Sequence, residues 1–249
     1  MNIINISKNT ELLFLTDIHA HKYQFFEALK KYPPNNNRIL CACGDYLDKG
    51  FLETEKEDEE EICNKLMELQ NDSLCFAIKG NHEIKRSKKI KDNTNTQVNW
   101  IRTLPLCLRF SFESGKRITV IHAGITPLMT ENDLDKNIET CYVRDIDPET
   151  NKMIPLKWVD IDGVKTLVKE KPGVLWHELY DGRFGFVISG HDANRQFGEA
   201  RYYNYSCNLD SAVYSSGNLS ILIIDGFGNI KTKDVIHGPA SNPELNIKY

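Results

Sequence analysis

Five short polar blocks, each at the end of an apolar run of strand length, constrain this 249-residue chain more than any other feature. "LLFLT" (12–16) leads into "TDIHAH", "RILCAC" (38–43) into "GDYLDKG" and "LCFAI" (74–78) into "GNHE", while later apolar runs end in "VIHAG" and "ISGHDA". Apolar runs of this length bounded by glycine and polar residues read as buried strands. Between the first two, "HKYQFFEALKKY" places Phe25, Phe26 and Leu29 on one helical face, and "EICNKLMELQ" has helical periodicity ahead of the third. The pattern predicts strand, helix, strand units and an α/β core containing a parallel sheet. Strand exits in such a sheet gather along one edge, which is where sites form.

The second half changes character. "CLRFSFESGKRITVIH" and "NLSILIIDGFGNIKTKDVI" each read as two strands joined by a glycine-containing turn, so the second sheet is expected to be largely antiparallel. Residues 146–172 have turns and strand-like pieces but little apolar periodicity, and read as an excursion over the surface of one domain spanning 1–249. A net charge of -4 excludes global attraction to nucleic acid or anionic membrane, so an anionic substrate must be caught by local charge. With no membrane-length apolar run and no secretory signal pattern at its start, the sequence reads as cytoplasmic.

Seven cysteines, an odd number at irregular spacing, fit neither a disulfide framework nor a paired Cys-x-x-Cys zinc site. Cys41 and Cys43 fall on one strand face and read as core thiols. The acidic run "ETEKEDEEE" (53–61) reads as a solvated helix start, where carboxylates favour the positive helix end. "KRSKKIKD" (85–92) reads as a solvated loop or a substrate-facing basic patch, and Tyr202, Tyr203 and Tyr205 as packing or strand residues rather than platforms for a base.

The residue types at the strand exits carry the chemistry. Asp17, His19, Asp45, Asn81, His122 and His191 offer hard oxygens and imidazoles without thiolates, a set suited to Mn, Fe, Zn, Ni or Co. Singly, a histidine leaving a strand is more often a hydrogen-bonded structural residue, and Gly-Asp is a common turn. Five such blocks in order are a different matter.

That order resembles the calcineurin-like metallophosphoesterases, and within them the PPP phosphatases, whose blocks read GDxHG, GDxxDRG, GNHE, HGG or HAG, and a late GH. The likeness runs from about residue 12 to 225, with softer matches in "WIRTLPLCLRF", "CYVRDIDPET", "GVLWHELYDGRFGFVISGHDA" and "NLDSAVYSSGNLSILII". It is greatest to the bacterial-type branch containing symmetrical diadenosine tetraphosphate hydrolases and small protein phosphatases. The resemblance implies two mixed β-sheets packed as a sandwich flanked by helices, with two divalent metals, manganese foremost, at the C-terminal ends of the strands. It implies that Asp17, His19 and Asp45 hold one metal and that Asp45 bridges to a second completed by Asn81, His122 and His191. A metal pair about 3.5–4 Å apart binds a hydroxide nucleophile and clamps phosphate for direct attack, with no phosphoenzyme. By the same resemblance His82 is the general acid, Asp48 orients it, and Lys49, Arg144 and Asn81 face the phosphate oxygens.

Three departures stand out. Thr16 and Ala20-His21 occupy positions where GDxHG has glycine, making that backbone less permissive. Lys49 replaces the usual arginine and loses bidentate phosphate contact. His21 adds an imidazole that reads as a helix-start residue or a contact close to the site. The sequence thus points first to a serine/threonine protein phosphatase acting on a phosphomonoester, and second to a hydrolase of phosphoanhydrides in dinucleoside polyphosphates or RNA 5′ ends. Its partners are then a phosphorylated protein or a nucleotide, with nucleic acid only in the RNA case and no membrane. A fold that has lost catalysis is disfavoured by the retained general acid and full ligand set; a cysteine-based zinc protein is disfavoured by the cysteine spacing.

Overall fold

A computed structural model of the protein describes residues 3–92, 94–161 and 164–245. The chain runs through β1 (Ile4–Ile6), β2 (Glu11–Leu15), α1 (Lys22–Lys31), β3 (Arg38–Ala42), α2 (Glu55–Asn71), β4 (Cys75–Ala77), α3 (Asn81–Lys89) and α4 (Thr96–Thr103). There follow β5 (Cys107–Phe112), β6 (Arg117–Ile121), α5 (Glu131–Lys136), β7 (Asp145–Ile146), the hairpin of β8 (Leu156–Ile161) and β9 (Val164–Lys169), β10 (Val174–Leu175) and α6 (Trp176–Leu179). The last part contains β11 (Phe186–Ser189), β12 (Arg201–Tyr202), β13 (Ser206–Asn208), α7 (Val213–Ser216), β14 (Asn218–Ile224) and β15 (Ile230–His237).

Two mixed sheets form the frame. One has the order β15-β14-β2-β3-β4, the other β1-β5-β6-β11-β13-β12. Alternation along β2 shows why they stack: Leu12 and Phe14 point between the sheets with Cys41, Phe110, Val120, Ile188 and Leu222. Leu13 and Leu15 point the other way, onto Phe25 and Leu29 of α1 and onto Ile62 and Leu66 of α2. The expected helical face of α1 is therefore the buried one; fully burying a side chain such as Phe25 contributes about 1.5–3 kcal/mol. The outer face of the second sheet is covered by Trp176, Tyr180 and Phe184.

The expectation of a largely antiparallel second sheet is corrected. β5 and β6 do pair antiparallel, but β6 with β11 and β11 with β13 are parallel. The β14–β15 hairpin forms as expected but joins the first sheet, antiparallel to β2. A turn signal fixes which neighbouring strands pair, whereas the choice of sheet depends on which face each hairpin must bury, a long-range matter.

Other expectations change in detail. α2 begins at Glu55, inside the acidic run, and that run is not simply solvated, because Asp58 and Glu59 are buried. The basic run "KRSKK" is helical, forming the second half of α3. The 146–172 excursion contains the β8–β9 hairpin, its residues 162 and 163 lying outside those described. All seven cysteines are buried, Cys41 and Cys43 together between the sheets. Tyr202 packs against the same core, Tyr203 stacks on His177 at 4.2 Å, and Tyr205 is exposed. Among the described residues no helix is long and apolar enough to cross a membrane.

Candidate active site

The exits of β2, β3, β4, β6 and β11 meet at one edge of the sandwich and bring the sequence-derived residues together. Parallel pairing of β2 with β3 and β3 with β4 aims three exits the same way in one sheet, and that of β6 with β11 aligns the other two in the second. Seven of the residues there are non-glycine with positive φ: Asp17, His19, Ala20, Asp45, Asp48, Lys49 and His191. Left-handed backbone at such residues clusters at functional sites, at about 1–3 kcal/mol each, and persists only where the surroundings over-determine it. Ala20, where GDxHG has glycine, thus adopts at φ 56° a left-handed conformation that glycine reaches without steric cost. Thr16, the other departure, donates its hydroxyl to Asp17 Oδ2 at 2.7 Å.

Asp45 is central. It is 1% exposed, and its Oδ2 lies 3.8 Å from His19 Nε2 on one side and 3.3 Å from His122 Nε2 on the other. Asp17 Oδ1 stands 3.7 Å from the same His19 nitrogen, while Asp17 Oδ2 accepts the His191 backbone N–H at 2.9 Å. Asn81 Oδ1 is 3.1 Å from His122 Nε2, and the His191 ring lies 5.2 Å from that of His122. His19, Asp45 and His82 form one group of converging ligand atoms, and Asp45, His122 and His191 a second, with Asp45 shared.

The imidazole tautomers follow from their neighbours. His19 Nδ1 donates to the Leu47 carbonyl and His122 Nδ1 to that of Cys43, both at 3.0 Å, so each ring presents an Nε2 lone pair to the carboxylates. Lone pairs facing carboxylate and amide oxygens require a positive charge between them. At His19 the Lys49 ammonium, 3.0 Å from Nε2, supplies such a charge; at His122 either the ring takes a proton, which the Asp45 charge favours against burial by raising its pKa to about 10, or a cation sits there. His19 stays neutral, pushed well down by burial and then by the Lys49 charge. The donor set therefore fits divalent metals: oxygen and imidazole ligands, hydrogen-bonded from behind, around a buried shared carboxylate.

Beside this cluster, His82 Nδ1 donates to Asp48 Oδ2 at 2.6 Å and turns Nε2 toward Asp45 Oδ2, 3.8 Å away. Lys49 reaches in over the site from its turn. Its ammonium lies 3.0 Å from His19 Nε2 and 4.5 Å above the Tyr214 ring, to whose hydroxyl Arg195 Nε donates at 2.9 Å. On the opposite flank Arg144 donates to the His191 carbonyl at 3.1 Å and lines a cavity of about 470 Å³ with Asn81, Tyr142, Met153 and Leu156. Its Nε is buried without a partner, a donor aimed at no protein acceptor. His21, buried at the start of α1, donates Nδ1 to the His19 carbonyl at 2.7 Å and so braces that loop.

Sequence reasoning gave no role to two braces beneath Asp45. Glu83 accepts the N–H groups of Asp45 and Gly80 at 2.8 Å through Oε2 and that of Tyr46 at 2.9 Å through Oε1. The Tyr46 hydroxyl donates toward the Ala42 and Ile78 carbonyls and accepts the Gly44 N–H at 3.2 Å. Glu83 was in view as the last letter of "GNHE"; Tyr46 carried no signal beyond an aromatic residue in a polar loop. Gly80 is required by closeness, since a Cβ there would lie 2.2 Å from Asp45 Oδ1.

Comparison with curated proteins returns no match. Among solved structures the fold resembles a protein proposed to be a diadenosine tetraphosphatase, with TM-score 0.69 and 21% identity over 94% of this chain and 97% of that one. It also resembles a serine/threonine phosphatase from Saccharomyces cerevisiae similar to the human phosphatase PP5, with TM-score 0.60 and 14% identity over 95% and 85% of the two chains. A cold-active protein-tyrosine phosphatase from a psychrophilic Shewanella follows at 0.52 and 13%, over 94% and 83%. Identities this low speak for the fold alone. The sequence model of the calcineurin-like phosphoesterases, however, matches residues 10–195, about three quarters of the chain and all five strand-exit blocks, and the chain belongs to that family of metal-dependent phosphohydrolases.

Proposed function

We infer that the protein hydrolyses phosphomonoesters, foremost phosphoserine and phosphothreonine in proteins, at a site holding two divalent metals, manganese foremost. Asp17, His19 and Asp45 would hold one metal, and Asp45, Asn81, His122 and His191 the other. When bound, such a pair supplies an activated water and Lewis acidity toward the phosphoryl oxygens. Arg144 and Lys49 flank the position where a phosphoryl group would sit, and Asn81 faces it as well; their part is to orient it and offset its negative charge.

The observation that carries this reading is the His82–Asp48 pair. A serine or threonine alkoxide is a far stronger base than a departing phosphate, so a built general acid matters most when an alcohol leaves. His82, with Nδ1 held by Asp48, keeps Nε2 free to hand its proton to that oxygen. One observation favours the second reading, a dinucleoside polyphosphate or RNA 5′-end hydrolase: Lys49 and Arg195 both lie on Tyr214 beside His19, a cationic pair suited to a further phosphoryl group. The test is to strip the protein with a chelator and restore manganese. Activity should vanish and return, and the restored protein is then assayed side by side on a phosphoserine peptide, diadenosine tetraphosphate and 5′-triphosphorylated RNA. A strong preference for either anhydride reverses the order of the two readings, and full activity after chelation removes the metal assignment.

A further inference from the structure

The acidic and basic runs of the sequence meet behind the His82–Asp48 pair. Glu59, from the acidic run, is buried in α2, and Arg86, from the basic run, lies on α3 one turn beyond His82. Arg86 forks onto Glu59, Nη1 to Oε2 at 3.0 Å and Nη2 to Oε1 at 2.9 Å, and Nη2 also donates to Asp48 Oδ1 at 2.8 Å. Glu59 Oε1 in turn accepts the Asp48 backbone N–H at 2.7 Å. Asp48 is thus held at three points, by its N–H, by Oδ1 and, at 2.6 Å, by the Oδ2 contact with His82. It needs holding, because its φ of 62° is one that residues with a side chain seldom adopt.

We propose that Arg86, oriented by Glu59, is a positioning residue that fixes the Asp48 carboxylate so that His82 points its free ring nitrogen at the leaving group. This rests on the general-acid reading of His82. A bidentate pair serving only to join α2 to α3 would need Glu59 and Arg86 alone; the third contact goes to the one carboxylate that orients His82. Without the guanidinium, Asp48 Oδ1 would open onto a hollow of about 370 Å³ that is also lined by Glu55, Lys56, Lys85 and Lys89. There the carboxylate can turn toward water or a neighbouring lysine and leave His82 unsupported. Asp48, Glu55 and Glu59 converge closely enough to suggest a cation site, but the Arg86 guanidinium already supplies the positive charge among them.

The test compares Arg86→Ala, Arg86→Lys, Glu59→Gln and His82→Ala in the metal-loaded full chain, on a phosphoserine peptide and on p-nitrophenyl phosphate, whose leaving group barely needs a proton. A general acid is worth about 10²–10⁴ in rate, so losing its alignment in Arg86→Ala should lower kcat on the peptide about ten- to a hundredfold. The loss on the aryl ester should be smaller and KM little changed, because binding is not what Arg86 supplies. Added guanidinium should restore part of the kcat of Arg86→Ala. Glu59→Gln should show the same substrate split in weaker form, and Arg86→Lys should fall between wild type and alanine, since one ammonium cannot fork onto both carboxylates. Equal losses on both substrates, or none, would overturn the proposal, provided that His82→Ala shows the split. If His82→Ala itself shows no split, the general-acid reading fails and the proposal falls with it. Should Arg86→Ala not fold, folded Arg86→Lys and Glu59→Gln proteins that both match wild type on the peptide would overturn it equally.

Discussion

Glu83→Gln isolates the brace beneath the central carboxylate. In the native protein the Glu83 side chain faces three backbone N–H groups and no acceptor, at 2.8, 2.8 and 2.9 Å. Burial and the nearby Asp45 charge push its pKa up, but three donors and no acceptor favour the ionised carboxylate, since the proton of the acid would find no partner there. Glutamine is nearly isosteric and offers one oxygen and one NH₂. If its oxygen keeps Asp45 and Gly80, its nitrogen meets the Tyr46 N–H, donor against donor. One bond to a charged group is lost, two become neutral, and a buried N–H is orphaned, which together cost about 3 kcal/mol. For a domain of this size that lowers the melting temperature by about 6–12 °C. Calorimetry of the metal-loaded protein measures the shift, and a manganese titration of activity should move to higher concentration as the Asp45 loop loosens. A melting point within about 2 °C of wild type, with an unchanged titration, would show that Glu83 does not brace the loop.

Gly80→Ala places a methyl carbon 2.2 Å from Asp45 Oδ1 and 2.7 Å from its N–H, and Asp45 must move. Displacing a central group by about an ångström costs on the order of 10² in rate, so manganese-supported kcat should fall by about that factor, and wild-type kcat would contradict the geometry. Acid stability should follow Asp48, whose pKa is held below 3.8 by the hydrogen bond from His82 and by Arg86. Because the folded carboxylate binds a proton less readily than the unfolded one, its contribution is full above about pH 5 and lost progressively as the pH falls toward the folded value. Urea unfolding of wild type and Asp48→Asn should therefore give a stability gap that closes on acidification; a gap that widens would refute the sign.

The sequence was most legible at the candidate site. That Asp17, His19, Asp45, Asn81, His122 and His191 come together could be foreseen because each follows an apolar run whose length and composition mark a strand, and a parallel sheet puts such exits at one edge. Helix α1 was legible for the same local reason, its apolar spacing matching the face it buries. Sheet membership of β14 and β15 was not, since a hairpin signal is silent about which face the hairpin covers. Glu59, Arg86 and Glu83 escaped for a different reason. Each is a charged residue within a charged or polar stretch, and only tertiary structure turns it inward against one particular partner. The basic run shows how misleading such stretches are, because Arg86 and its neighbour Lys85 look alike in sequence and only Arg86 reaches Asp48.

That same distinction bears on why the site tolerates so much unusual backbone. Asp17, His19, Asp45 and Asp48 would each relax from left-handed φ if nothing held them. Several of the bonds that hold them reach in from outside the candidate ligand set, alongside the N–H of His191, itself a candidate ligand. Thr16 and the His191 N–H fix Asp17, the Leu47 carbonyl fixes His19, Glu83 fixes Asp45, and Glu59 with Arg86 fixes Asp48. The candidate ligands Asp17, His19 and Asp45 are thereby held by backbone groups and neighbouring side chains, which is what positioning to a fraction of an ångström demands. A search for candidate ligands alone therefore misses several of the residues that brace the geometry, which lie one contact further out, Glu59 and Arg86 in charge runs that look like solvated surface.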